Sequence, residues 1–237
     1  MSVPAAGGFV LTVSGLAREA RIAAGPGVKP VAAAGPRLAG VIEAAIGDGA
    51  AGILSFGIAG GLDPKLPPGA VILANSIIAG DTRWAVDLAW RAQLAARLRD
   101  VIPGDLAGVD APVLSPAGKA ALAASGARAV DMESHIAARL AAAHGLPFTA
   151  LRVVCDPAER AIPPAAIAGM REDGGTDLGA ILRALLSAPG QLPAMMRLAG
   201  DARVAFAALA RCRHSLGTVL QPQLQPQLQP QLQPPRA

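Results

Sequence analysis

Residues 127–156 read ARAVDMESHIAARLAAAHGLPFTALRVVCD. Ala127–Met132 and Phe148–Val154 are apolar almost throughout, which predicts strands buried on both faces. Ser134–His144, between them, reads as a helix. The same alternation extends in both directions. Strands are expected at Phe9–Val13, Val31–Ala34, Gly52–Phe56 and Ala70–Ile78, and helices at about 37–47, 84–99, 176–187 and 201–213. Fully apolar strands separated by helices need cover on both faces of a sheet. The expected fold is therefore a single α/β domain over residues 1–217, with a mixed, mostly parallel central sheet flanked by helices.

Residues 218–237 stand apart. From Gln221 the unit QPQL occurs three times before the chain ends QPPRA. Proline at every fourth position forbids a helix, so this is expected to be an extended, disordered tail. It reads as a neutral repeat expansion or as a proline-rich docking peptide.

Composition narrows the class. Of 237 residues 52% are hydrophobic, including 54 alanines, which is enough for a substantial core and excludes wholesale disorder. No stretch of 18 charge-free residues is built uniformly from large apolar side chains, which argues against a membrane span. The start, MSVPAAGGFVLTVSG, lacks a basic segment before its apolar run, so no secretory signal is expected and the cytoplasm is the default. The net charge of +4 comes from 18 scattered arginines and only 3 lysines among the bases, a poor basis for a nucleic-acid groove.

Four features carry candidate chemistry. Gly57-Ile58-Ala59-Gly60-Gly61 follows a buried strand and matches neither nucleotide-binding glycine pattern; it reads as a tight turn or a ligand loop. Glu133 lies at a strand-to-helix junction. There a carboxylate either caps the helix or points from the strand edge to accept bonds from a sugar diol. Asp156 ends an apolar strand before Pro157, where desolvation raises a carboxyl's pKa and suits it to general-acid work. Twenty-three residues separate the two carboxylates, one helix plus one strand, which places both on the same sheet edge. Glu19, between Arg18 and Arg21, is either a solvated helix-start charge or a carboxylate that activates water or holds a sugar hydroxyl.

Other residues read as structural. His135 and His144 have no carboxylate or thiol at metal-ligand spacing, Cys155 reads as a small buried residue, and Trp84 and Trp90 as packing on the 84–99 helix. Over 191–213, Leu192, Met195, Met196, Leu198, Val204, Phe206 and Leu209 sit among Arg197, Arg203, Arg211 and Arg213. That segment reads as a helix packed on the core or on a second subunit, or as an apolar, basic-edged lip for a membrane and a lipid tail.

In order and spacing these pieces resemble the purine nucleoside phosphorylase and methylthioadenosine–adenosylhomocysteine nucleosidase superfamily. The resemblance spans about residues 8–185. It rests on Ser14-Gly15 with Glu19, the 57–62 glycine segment, Pro68–Ile72, Val130–Ser134 and Pro147–Asp156. Cys155–Arg160 (CDPAER) and Leu192–Arg203 (LPAMMRLAGDAR) are most similar to the hopanoid-associated phosphorylases.

The resemblance implies an enzyme that cleaves an adenine nucleoside at its N-glycosidic bond, here adenosylhopane, to leave a ribosyl or phosphoribosyl hopanoid. It assigns Asp156 as the acid near N7 of the purine and Glu133 to the ribose hydroxyls. Met132 lies beneath the sugar and Glu19 activates water. Gly57, Ile58, Ala59 and Gly60 form the turn that meets phosphate or water, and Pro112 and Val113 lie near the base. It implies no metal or organic cofactor, phosphate only as a co-substrate, peripheral membrane contact at most, and a homo-oligomer.

Two departures leave the nucleophile open between phosphate and water. Ile58 stands where many relatives carry Ser or Thr, and no Arg falls in the glycine segment, although Arg18 is close enough in sequence to serve. A methylthioadenosine or adenosylhomocysteine nucleosidase and a non-catalytic nucleoside-binding protein are the alternatives.

Overall fold

A computed structural model describes residues 8–171, 173–217 and 220, so the QPQL tail lies outside the described residues. The strands are β1 (Phe9–Ser14), β2 (Val28–Ala32), β3 (Ala50–Gly61), β4 (Val71–Ala79), β5 (Thr82–Ala85), β6 (Val101–Gly108), β7 (Ala127–Asp131) and β8 (Phe148–Asp156). The helices are α1 (Ala17–Ala23), α2 (Pro36–Gly47), α3 (Leu88–Ala95), α4 (Pro116–Ala123), α5 (Ser134–Ala143), α6 (Pro164–Ala168), α7 (Leu178–Ser187) and α8 (Leu192–Leu216).

The expected mixed, mostly parallel sheet is present. All nine residues of β8 are buried, because it pairs on both sides. It runs parallel to β3 from Ile53↔Phe148 onwards and antiparallel to β4 at Val71–Leu73. β3 is long enough to bend across to β7, pairing antiparallel at Gly60↔Val130 and Gly61↔Ala129. β7 and β4 both run parallel to β6. The ladder β3-β8-β4-β6-β7 thus closes on itself, while β1 and β2 extend it beyond β3 and β5 beyond β4. Closure leaves those five strands no free edge.

Helices cover both faces. Leu38 and Ile42 of α2 and Ala137 and Ala141 of α5 pack with Leu11, Ile53 and Ile72 on one side. Trp90 and Leu94 of α3 and Phe206 and Leu209 of α8 pack with Phe56, Leu73 and Leu151 on the other. Among the described residues no helix is long and apolar enough to cross a membrane.

Three local expectations change. The 84–99 helix is strand β5 followed by the shorter α3. Trp84 pairs across from Ile77, and Asp87 caps α3 by accepting a bond from Trp90 N at 2.7 Å. Trp90 is buried as expected, and its indole N–H donates to the Leu220 carbonyl. The 57–61 segment is not a turn but the last part of β3. A Cβ on Gly57 would lie 2.6 Å from both Arg152 Nη1 and Glu19 Oε1, so glycine there admits two charged side chains. The last helix starts at Leu192, not near 201, because Pro193 falls in its first turn, where its missing N–H costs nothing.

Candidate active site

The carboxyl ends of parallel strands β1, β3 and β8 meet one edge of the sheet, and a cavity of about 840 Å³ opens there. Ligand pockets usually occupy ~300–1,000 Å³, so this one is large. Glu19, Ile58, Ala59, Gly60, Pro112, Val113, Met132, Glu133 and Asp156 all line it; Gly57 sits behind the wall. Glu133 and Asp156 therefore share one cavity on one edge.

Glu133 does not cap α5. Asp131 does so instead: its Oδ1 accepts from the N–H of Glu133 at 2.9 Å and of Ser134 at 2.6 Å, and its Oδ2 accepts from Ser134 Oγ at 2.6 Å. The Glu133 carboxyl is thereby free to reach the cavity, where Arg152 Nη2 lies 3.2 Å from its Oε2. Gly15 makes room for it, since a Cβ there would strike Glu133 Oε1.

Glu19 is not a solvated charge. It is 1% exposed, and its Oε1 accepts from Ile58 N at 2.7 Å and its Oε2 from Leu16 N at 2.8 Å. Burial raises its pKa, while the Arg152 charge and the backbone N–H groups oppose that rise. Burial likewise pushes Glu133 up, to about 8, with Arg152 opposing and the nearby Asp131 and Glu19 charges adding to it.

Arg152 is the hub that the sequence reading left unassigned. It is fully buried in β8, donates to Ser55 Oγ at 2.6 Å and to Ile58 O at 3.3 Å, and faces Asp131, Glu133 and Glu19. The available signal was an arginine inside an otherwise apolar strand, since such a charge is tolerated only when paired.

Asp156 ends β8 at the cavity wall. Burial raises its pKa, and the Lys119 ammonium on its Oδ2 at 2.6 Å pulls in the other direction. Lys119 was also missed: one lysine in the alanine-rich PAGKAALA carries no sequence signal of burial.

Residues 4–187 match the sequence pattern of the Phosphorylase superfamily. The chain belongs to that superfamily. Several solved structures share the superfamily fold. Futalosine hydrolase of Helicobacter pylori is similar with 14% identity and a TM-score of 0.64, over 89% of this chain and 97% of that one. A 5′-methylthioadenosine/S-adenosylhomocysteine nucleosidase from Neisseria meningitidis, in complex with methylthio-immucillin-A, follows with 17% identity and a TM-score of 0.63, over 88% and 97%. The corresponding nucleosidase from Helicobacter pylori, with butyl-thio-DADMe-immucillin-A, gives 14% and 0.59, over 90% and 100%. A search of curated protein sequences finds no significant match.

In this superfamily member the cavity has two unlike ends. The helical part of its wall is a mainly apolar lobe formed by Ile162, Ile167, Leu178, Met195, Leu198 and Phe206, with Arg171, Thr176 and Arg203 among them. Arg18 stands at the junction, its guanidinium 4.1 Å from the centre of the Phe206 ring. Cys155 also lines the cavity, but burial pushes its thiol up to about 12, which removes it as a thiolate nucleophile at neutral pH. His135 pairs with Asp110 and His144 with Glu43, neither on the cavity wall. Among the described residues no cluster of His, Cys, Asp or Glu is arranged to hold a metal.

Proposed function

We propose that this enzyme hydrolyses the N-glycosidic bond of an adenine nucleoside that bears a large apolar group, with adenosylhopane as substrate and ribosylhopane and adenine as products. The observation that carries this reading is a single cavity that joins an end lined by Glu19, Asp131, Glu133 and Asp156 to a mainly apolar lobe. The polar end suits a ribosyl-adenine unit, and the lobe offers a polycyclic hydrocarbon the apolar contact it needs.

In this reading Asp156 donates its proton to N7 as the C1′–N9 bond breaks and its electrons pass to the purine. Glu133 grips the ribose hydroxyls above Met132, with Arg152 fixing its orientation. Glu19 takes a proton from the water that forms the new C1′–O bond.

Water is favoured over phosphate by two features. The Ile58 N–H, in the segment expected to meet phosphate, is already committed to Glu19. Arg152, the cation buried at that end, already faces Asp131, Glu133 and Glu19 and is not free to clamp a phosphate.

A membrane-facing surface belongs to the same reading. Leu178, Leu182 and Leu186 recur every fourth residue on α7 and are exposed, as are Leu192 and Met196 on α8, and the neighbouring Arg183 and Arg197 are exposed too. Leu178 also lines the lobe, so the apolar ridge continues into the cavity mouth. Such a surface fits an anionic bilayer. A homo-oligomer also belongs to this reading, and sedimentation checks it.

Incubation with adenosylhopane, with and without phosphate, tests the proposal. Ribosylhopane and adenine, formed at the same rate in both, is the expected result. A phosphoribosyl product reverses the choice of nucleophile. Rapid turnover of methylthioadenosine or adenosylhomocysteine overturns the lipid substrate in favour of an ordinary nucleosidase. Binding without adenine release from any of them makes the protein a nucleoside binder.

A further inference from the structure

Asp156 has a buried partner that does not line the cavity. Lys119 lies near the start of α4 and is 1% exposed. Its Nζ meets Asp156 Oδ2 at 2.6 Å, Pro157 O at 2.8 Å, Arg160 O at 3.0 Å and Asp156 O at 3.3 Å. All four are acceptors. An ammonium, with three N–H bonds and no lone pair, suits that set, whereas an apolar side chain leaves a carboxylate and three carbonyls without this donor.

The loop after β8 wraps around this nitrogen. Arg160 closes the loop from outside by pairing with Asp201 on α8, next to Ala202 and Arg203 of the cavity wall. α4, the acid and the cavity-lining helix are thus joined through one buried amine.

We propose that Lys119 is a positioning residue for the acid: it pins Asp156 by Oδ2 at the cavity wall and sets the pH at which that carboxyl releases its proton. The inference rests on Asp156 being the acid. With Oδ2 held, the second carboxyl oxygen is the one presented to the purine. When the Asp156 O–H bond breaks and the purine N7–H bond forms, Lys119 keeps its hydrogens and stabilises the aspartate left behind. The charged groups facing Asp156 are Lys119 from α4 and Asp201 from α8, and Arg160 already neutralises the latter. The neighbouring Cys155 stays a neutral thiol. Lys119 therefore supplies the uncompensated charge at the acid.

The test titrates the Asp156 carboxyl by its carbon-13 signal, identified through its loss in Asp156→Asn, and needs no substrate. Lys119→Met is expected to raise the midpoint by about one to three pH units, the usual effect of losing an adjacent opposite charge. The basic limb of kcat/KM for adenine release from adenosine or 5′-decylthio-5′-deoxyadenosine moves up with it. Lys119→Arg keeps the charge and leaves the midpoint near the native one, while its larger head lowers kcat by displacing the loop. If Lys119→Met does not fold, Lys119→Gln, which still donates one hydrogen bond, is expected to shift the midpoint in the same direction. A midpoint that stays at the native value in the uncharged variant overturns the proposal. Native-level adenine release by Asp156→Asn overturns the acid itself, and the titration still decides what Lys119 does.

Discussion

The two ends of the cavity are built in different ways. The carboxylate end is formed where β1, β3, β7 and β8 finish, and Arg152 of β8 ties it together through Ser55 and Ile58 of β3 and Asp131 of β7. The apolar end is formed by α6, α7 and α8 as far as Phe206, and α7 has no buried residue at all. Strand ends tied into a closed ladder hold charges at fixed spacing, as bond cleavage requires. Helices packed along one side give a wall whose side chains can differ in size without moving those charges. In the proposed reading, chemistry belongs to the sheet and choice of substrate to the helices.

The largest effect is expected from Arg152→Met. It leaves three buried carboxyls without their cation, a loss of about 3–5 kcal/mol in unfolding free energy, read by urea titration. Next is Asp156→Asn, which is expected to lower adenine release by about 10²–10⁴-fold, the range supplied by a positioned acid, and to lower thermal stability as well, because the buried Lys119 ammonium loses its counter-charge. Equal activity in that variant removes the proton donor from the sheet end. Glu19→Gln is expected to fall in the same range, but with KM for the nucleoside little changed.

The helical end gives smaller and more selective effects. Ala166→Phe fills part of the lobe, so turnover of a long-chain 5′-alkylthio adenosine is expected to drop while that of adenosine does not. A loss shared by both substrates erases the division between the ends.

The pH dependence of stability sharpens the same contrast. Glu133 has a folded-state pKa raised to about 8, mainly by burial. A carboxyl raised in this way holds its proton longer when folded than when unfolded. Its stabilising contribution is therefore fully present below the ordinary carboxylate pKa and is lost as pH climbs towards 8. Glu133→Gln is expected to flatten that part of the thermal-midpoint profile. Lobe substitutions are expected to leave its slope alone.

Several site residues were legible because they sit where a local pattern ends. Asp156 closes an apolar run, and one helix plus one strand returns the chain to the edge where Glu133 begins α5. Glu19 was ambiguous, since flanking arginines on a helix start look the same whether the carboxylate between them faces water or a strand end. Arg152 and Lys119 had no local signal of their roles, because their partners lie up to 97 and 41 residues away in the chain, respectively. β6 was missed because Pro103 and Gly104 interrupt its apolar run; its pairing comes from β4 and β7 on either side.

The order of buried strands and covering helices, and the placing of carboxylates at strand ends, follow from the sequence alone. Both depend on apolar periodicity and its interruptions, which are local properties of the chain. Closure of the ladder through β8, the choice of Asp131 over Glu133 as helix cap, the two buried cations and the lobe between α6 and α8 emerge only in three dimensions. Each depends on which distant groups meet away from water, where an unpaired charge is costly and an apolar wall is not.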